Sequence, residues 1–163
     1  MAIPAYLWLK DDGGALIRGS ADVAGREGSI EILGLNHGIS LSTDNVTGKP
    51  TSTREHFPYS FDKEIDASSP YLYKAVTCGQ KLRSAEVKFY RINDAGWEDE
   101  YFSVLMEGVT VISVGPLMYD VKTQYGERRN HLEIVELVYE KITWRYVDGN
   151  IIHSDSWNAR ATA

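Results

Sequence analysis

Apolar positions recur every second residue through most of this chain and at helical spacing in one stretch only. Between Ser69 and Gly79, the residues Tyr71, Leu72, Ala75, Val76 and Cys78 fall on one stripe at about 100° per residue. Tyr73, Lys74, Thr77 and Gln80 fall opposite. Ser69 followed by Pro70 is a start signal, because serine caps free amide groups and proline loses nothing at the first helical position. Gly79 tolerates the left-handed turn that ends a helix. A helix this short does not persist alone in water, where about 12–15 residues are marginal. It must dock its stripe, with Cys78 as a small core residue, and sheet is the only surface the rest of the pattern offers.

Strand signals fill the remainder. Ala5–Leu9 alternates and ends at the turn cluster Asp11-Asp12-Gly13-Gly14. In the stretch 28–41, one parity carries Glu31, Leu33, Leu35, His37, Ile39 and Leu41, and the other carries Ile30, Ile32, Gly34, Asn36, Gly38 and Ser40. Period-2 geometry separates the two sets onto opposite faces, so the large set is expected to pack a core and the small set to form a smooth, wettable surface. Residues 42–60, rich in Ser, Thr, Gly and Pro, show no period and read as a long loop; loops beyond about 12–15 residues in compact domains usually carry function or are disordered. Strands are expected over 85–92 and 100–106 around the turn Asn93-Asp94-Ala95-Gly96, then over 109–114 after an interruption at Glu107-Gly108. Residues 131–147 slip phase, with Leu132 and Ile134 on one parity and Val135, Leu137 and Tyr139 on the other. That slip implies bulges or a sharp bend. Asp148-Gly149-Asn150 is a turn, and 151–153 opens a last strand. The fold class expected is mainly β, a β-barrel of two antiparallel sheets with one short flanking α-helix and a long protruding loop.

Composition narrows the function. With 163 residues the chain is read as a single domain, residues 1–163, large enough for a real core. Its 23 acids against 17 bases give a net charge of −6, and the bases are scattered, which argues against nucleic acid. One cysteine precludes an intrachain disulfide or a cysteine zinc site. The N-terminus lacks a basic region and is broken by Pro4, so it does not read as a signal peptide, and no apolar run is long enough for membrane insertion. Chemistry is sparse. His37, His56, His131 and His153 lack metal-ligand spacing, and the sequence has neither a nucleophile elbow nor a glycine-rich phosphate loop. The acidic runs Asp11-Asp12 and Glu98-Asp99-Glu100 lie in or beside turns, where solvated charge is the default. No catalytic residue, metal or cofactor is expected.

The opening MAIPAYLWLKDDGG, the REGSIEI strand, HFPYSFDKEIDASSPYLYKAV and the closing HLEIVELVYEKITWRYVDGNIIHSDSW together resemble the haemolysin-coregulated protein (Hcp) family, the tube protein of the type VI secretion system. The most specific pieces are KEIDxSSPxLYKAV and KITWxYxDG, and the likeness spans the whole chain. The resemblance implies a β-barrel with one helix, a homo-hexameric ring, rings stacked into a hollow tube, and a long loop reaching the adjoining ring. It implies a contractile sheath, a spike protein and effector proteins as partners, with the protein cytoplasmic before assembly and secreted afterwards without a signal peptide. It implies no catalytic residues, and, with Ala163 just past the terminal strand, no appended effector domain is expected.

On that resemblance the ring-stacking loop is expected to act through Thr43, Asp44, Asn45, Thr47, Lys49, Thr51 and Arg54. The small face, Gly34, Asn36, Gly38 and Ser40, is expected to line the lumen where effectors ride. A phage tail-tube protein is the neighbouring reading of the same physical class. A ligand- or carbohydrate-binding β-barrel, using an aromatic such as Trp97 as a stacking platform, is the alternative from a different class, and a small carboxylate hydrolase ranks last.

Overall fold

The computed structural model describes residues 3–160. In chain order its elements are β1 (Ala5–Lys10), β2 (Leu16–Ile17), β3 (Ile30–Ile32), β4 (Gly34–Asn36), β5 (Ile39–Ser40), β6 (Glu55–His56), β7 (Tyr59–Glu64), α1 (Ser69–Cys78), β8 (Lys81–Ile92), β9 (Glu98–Leu117), a 3₁₀ turn (Gly126–Arg128), β10 (Leu132–Val138), β11 (Lys141–Tyr146) and β12 (Ile151–Ser156). Mainly antiparallel β with one helix is therefore correct. Closure into a barrel is not: ten strands form one sheet in the order β2-β1-β8-β9-β10-β7-β4, with β3 on β1 and with β11 and β12 joined through β9, while β5 and β6 form a separate two-stranded ladder.

The sheet is held rolled because one segment serves both of its ends. Residues 30–32 pair with β1, and residues 34–36 pair with β7. Between them the Leu33 amide donates to the Asp62 carbonyl at 2.8 Å. The single strand expected over 28–41 is thus three short pieces that change partner.

β9 is one strand of 20 residues, not two. Its first half pairs with β11 and its second with β10, and β8 runs along the other edge. The change of partner falls at Gly108, whose φ of 63° is the left-handed region that a side chain disfavours. The Glu140 carboxylate stands where a Cβ of residue 108 would have to go. The interruption read at Glu107-Gly108 is this change of partner, and the ladder continues through it.

Leu7, Leu9, Ile30, Phe61, Leu82, Ala85, Val87, Met106, Val109, Val135, Leu137 and Ile142 fill the inside of the roll. Each fully buried aliphatic or aromatic side chain of this kind contributes about 1.5–3 kcal/mol. α1 lays Leu72 and Ala75 against this core and packs on β9. The helix ends where expected, at Gly79 with φ 64°. Its start differs by one residue, with Ser68 at the cap and no side-chain cap bond. Its stripe is narrower too: Tyr71 is exposed, and Cys78 is exposed rather than a core residue. Two apolar residues and a half-buried Val76 suffice to seat ten residues of helix.

What lies beneath the start of α1 is polar. Lys63 of β7 and Glu133 of β10 are cross-strand partners, both fully buried and joined as an ion pair. The Lys63 ammonium also donates to the Glu64 carbonyl at 2.9 Å, and to Asp66 Oδ1 and Ser69 Oγ at 3.2 Å each. The Ser69 hydroxyl donates to Glu133 Oε1 at 2.6 Å, and the Ser68 hydroxyl and amide both donate to Asp66. Ser69 therefore holds the helix to the sheet instead of capping it. Glu133 also explains the phase slip. The inward positions of β10 are Glu133, Val135 and Leu137, a regular alternation that looks broken only because its first member is charged. The true irregularities are the register shifts at Glu136/Leu137 and Phe89/Tyr90.

Candidate functional site

Two surfaces and the joint between them stand out. The first surface is the projecting segment. Thirteen consecutive residues, 41 to 53, are exposed. They are nonetheless ordered as a β-ribbon: the Thr51 amide donates to the Ser42 carbonyl and the Asp44 amide to the Lys49 carbonyl, both at 2.8 Å, and Thr43 bridges Pro50. The tip is built by Asp44, whose carboxylate accepts from the Val46 and Thr47 amides at 2.8 Å each. Those two amides hold the Asp44 carboxyl below its ordinary range. Gly48, at φ 71°, takes the left-handed position that lets the chain return. Val46 is 94% exposed at the summit. The long loop read over 42–60 is therefore shorter and more regular than its composition suggests, since β6 and β7 occupy its last residues.

The second surface is the face of the sheet turned away from the core. Cross-strand partners share a face. One row runs Gly34, Asp62, Ile134, Gly115 across β4, β7, β10 and β9, and the next runs Asn36, Ser60, Glu136, Ser113. Gly34 and Asn36 thus sit on a surface that continues over four strands and is small or polar except at Ile134, which is exposed there. Gly38 and Ser40 follow on β5 and its approach, with Ser40 opposite Glu55. A Cβ at Gly34 would lie 2.9 Å from Asp62 Oδ2, so a larger residue there would have to turn the Asp62 carboxylate aside. The opposite parity does face inward: Leu35 pairs with Phe61, and the His37 ring lies 4.8 Å from that of Tyr59. It does not complete a core, since Leu33, Leu35, Ile39 and Leu41 remain 37–49% exposed. Leu33 and Leu35 lie at the β4 edge of the large sheet, while Ile39 lies on the separate β5–β6 ladder and Leu41 at the foot of the ribbon.

The joint at the base of the ribbon is the feature that sequence spacing does not reveal. Arg54 makes a two-pronged ion pair with Asp155 of β12, Nε to Oδ2 at 2.8 Å and Nη2 to Oδ1 at 3.0 Å, and reaches the Ser156 carbonyl. His56 Nε2 meets Asp155 Oδ2 at 2.8 Å, and its Nδ1 meets the Tyr139 hydroxyl at 2.7 Å. The same hydroxyl reaches His37 Nε2 at 3.0 Å, and Trp157 stacks on the His56 ring. Arg54 is therefore engaged within its own chain, at the foot of the ribbon, while Thr43, Asp44, Asn45, Thr47, Lys49 and Thr51 stay exposed along it. Of the four histidines, His37 and His56 converge through Tyr139, and His153 stacks instead on Trp144. A chain of this kind holds geometry; among the described residues no cluster has the composition of a metal site.

The joint makes stability depend on pH. Burial, and then the nearby His56 ring, hold the His37 imidazole below its ordinary value of 6.5. The Arg54 guanidinium, helped by His56, holds Asp155 well below the usual carboxylate value of 3.8. Both folded-state values are depressed, so the unfolded chain takes up these protons first, and stability is lost as pH falls. The decline should begin as pH drops below 6.5 through His37 and steepen below 3.8 through Asp155. Urea midpoints measured from pH 8 to 3 check this: His37→Gln should remove the first decline and Asp155→Asn the second.

A rolled antiparallel sheet with an ordered ribbon at one end and a smooth polar face defines a protein that presents surfaces. Comparison with known proteins makes the class specific. A family described as type VI secretion system effector, Hcp, matches residues 6–146. The chain is similar to the major exported protein of Pseudomonas aeruginosa, at 29% identity over 98% of each chain. Among solved structures it is similar to Hcp1 from the E. coli EAEC 042 pathovar, a mutant form, at 62% identity and a TM-score of 0.86, covering 96% of this chain and 99% of that one. It is similar as well to the secreted protein Hcp3 from Pseudomonas aeruginosa, at 26% identity and a TM-score of 0.77, covering 97% and 100%. The chain belongs to the Hcp family of the type VI secretion system. Among the described residues no helix is long and apolar enough to cross a membrane.

Proposed function

We propose that this protein is a structural subunit of the type VI secretion tube, a single-domain chain that assembles as a hexameric ring, stacks through its ribbon and carries effectors against the face bearing Gly34, Asn36, Gly38 and Ser40. It works without turnover, cofactor or metal, inside a contractile sheath and behind a spike, and leaves the cell with the tube. The observation that carries the reading is the ribbon: thirteen exposed residues held in a defined shape, with Asp44 spent on the tip and Arg54 on the base. Order without burial in the single chain is what a contact prepared for another molecule requires. The exposed Leu33, Leu35, Ile39 and Leu41 support it, being a run of apolar side chains that a neighbouring subunit would cover.

Light scattering of the purified protein, with negative-stain images of the same peak, tests the reading. A mass near six chains with ring-shaped particles is expected. A monomer at every concentration, without rings, sinks the tube reading and favours the ligand-binding alternative.

A further inference from the structure

The ribbon and an open cleft lie at opposite ends of the same strands. The ribbon leaves the fold beside Asn36 and Tyr59, where β4 ends and β7 begins, and β10 finishes at that end with Val138. At the other end of these strands, a cleft of 520 Å³ opens between Leu33, Glu64, Leu132 and the connection bearing Tyr125, Arg128 and Arg129. Its floor is apolar: Leu33 is half exposed beside Leu132, and the Tyr125 ring lies under the Arg129 guanidinium at 4.2 Å. Its rim is charged, with the two arginines on one side and Glu64 on the other.

The ribbon tip is the complement of that cleft. Val46 supplies an apolar knob small enough to enter the cleft, Asp44 its Oδ2, the oxygen the two tip amides do not use, for the arginines, and Lys49 an ammonium for Glu64. Each ribbon arm is six residues, about 20 Å when extended. The ribbon starts at the end of β4, β7 and β10 opposite its own cleft, so a cleft that receives its tip would be that of a second copy.

We propose that Val46 of one copy seats in the Leu33–Tyr125–Leu132 cleft of the copy stacked against it, with Asp44 toward Arg128 and Arg129. This rests on the stacking reading above and names the receiving surface. The contact is heterologous, knob at one pole and socket at the other, so it repeats without end and adds rings in one direction only.

Disulfide trapping tests it. In a Cys78→Ser background, Val46→Cys is combined with Gln124→Cys, at the cleft mouth, or with Ile151→Cys on β12 as the control pair. Concentrated protein is oxidised, run without reductant and imaged. The cleft pair should give a ladder extending past the dimer at a yield at least about tenfold above the control, because docking raises the local thiol concentration. Stacked rings in which the cleft pair fails to link overturn the socket while leaving stacking intact. Native protein that never stacks overturns the socket and the stacking reading together.

Discussion

Lys63→Met should destabilise the fold by about 3–5 kcal/mol, because it strands the Glu133 carboxylate in the interior without its ion partner. The loss is large because neither group can reach water: both side chains are fully buried, and Glu133 Oε2 already has no hydrogen-bond partner. Glu133→Leu alone should cost less, because the Lys63 ammonium keeps Asp66 Oδ1 and Ser69 Oγ at 3.2 Å and the Glu64 carbonyl at 2.9 Å. The double change Lys63→Met with Glu133→Leu should recover most of the stability, since removing both charges also removes the cost of desolvating them. Urea denaturation of the four proteins measures this directly. A double variant as unstable as the worse single one would mean that the ion pair itself, not the stranded charge, carries the energy. The cluster gives the KEIDxSS stretch its physical meaning: Lys63, Asp66, Ser68 and Ser69 are the polar bolt between β7, β10 and the start of α1.

Asn36→Trp should leave ring formation unchanged and reduce retained effector at least about tenfold, equivalent to about 1.4 kcal/mol of lost contact. Asn36 is exposed on the small-residue face, beside Ser60 and Glu136, where an indole has room without touching the core. If this face lines the channel, a ring carries six indoles where it carried six short amides. The readout is the amount of effector recovered with rings in co-purification, set against ring yield by light scattering. Undiminished recovery with intact rings would remove this face from the lumen.

The helix, its end at Gly79 and most strands were legible in the sequence because they rest on local rules, apolar period and turn chemistry. The separation of Gly34, Asn36 and Ser40 from Leu35 and Ile39 was legible for the same reason, since alternation depends only on the backbone. What packs against each face was not, because Leu33 and Leu35 lie at a sheet edge that only the topology defines. A pattern search for apolar positions passes over Glu133, whose burial depends on a lysine seventy residues away. The joint of Asp155, His56, Tyr139 and His37 was equally hidden, its members being 83 to 102 residues apart. One local signal for the ribbon was present: Asp44 two and three residues before the amides it accepts, with Gly48 after them, is turn chemistry of the ordinary kind. The surrounding Ser, Thr and Pro residues masked it.

The ribbon's internal bonds have a consequence for the entropy of assembly. Fixing a free backbone costs on the order of 1–2 kcal/mol per residue. A disordered loop of this length would charge most of that to the moment of contact, and a small surface could not offset it. Here the folding of the subunit has already met the cost, through the Asp44 tip, the Thr43–Pro50 bridge and the Arg54 anchor. Thirteen residues would enter an encounter with their shape set, so on the stacking reading contact energy gained at the tip would go into holding the neighbour.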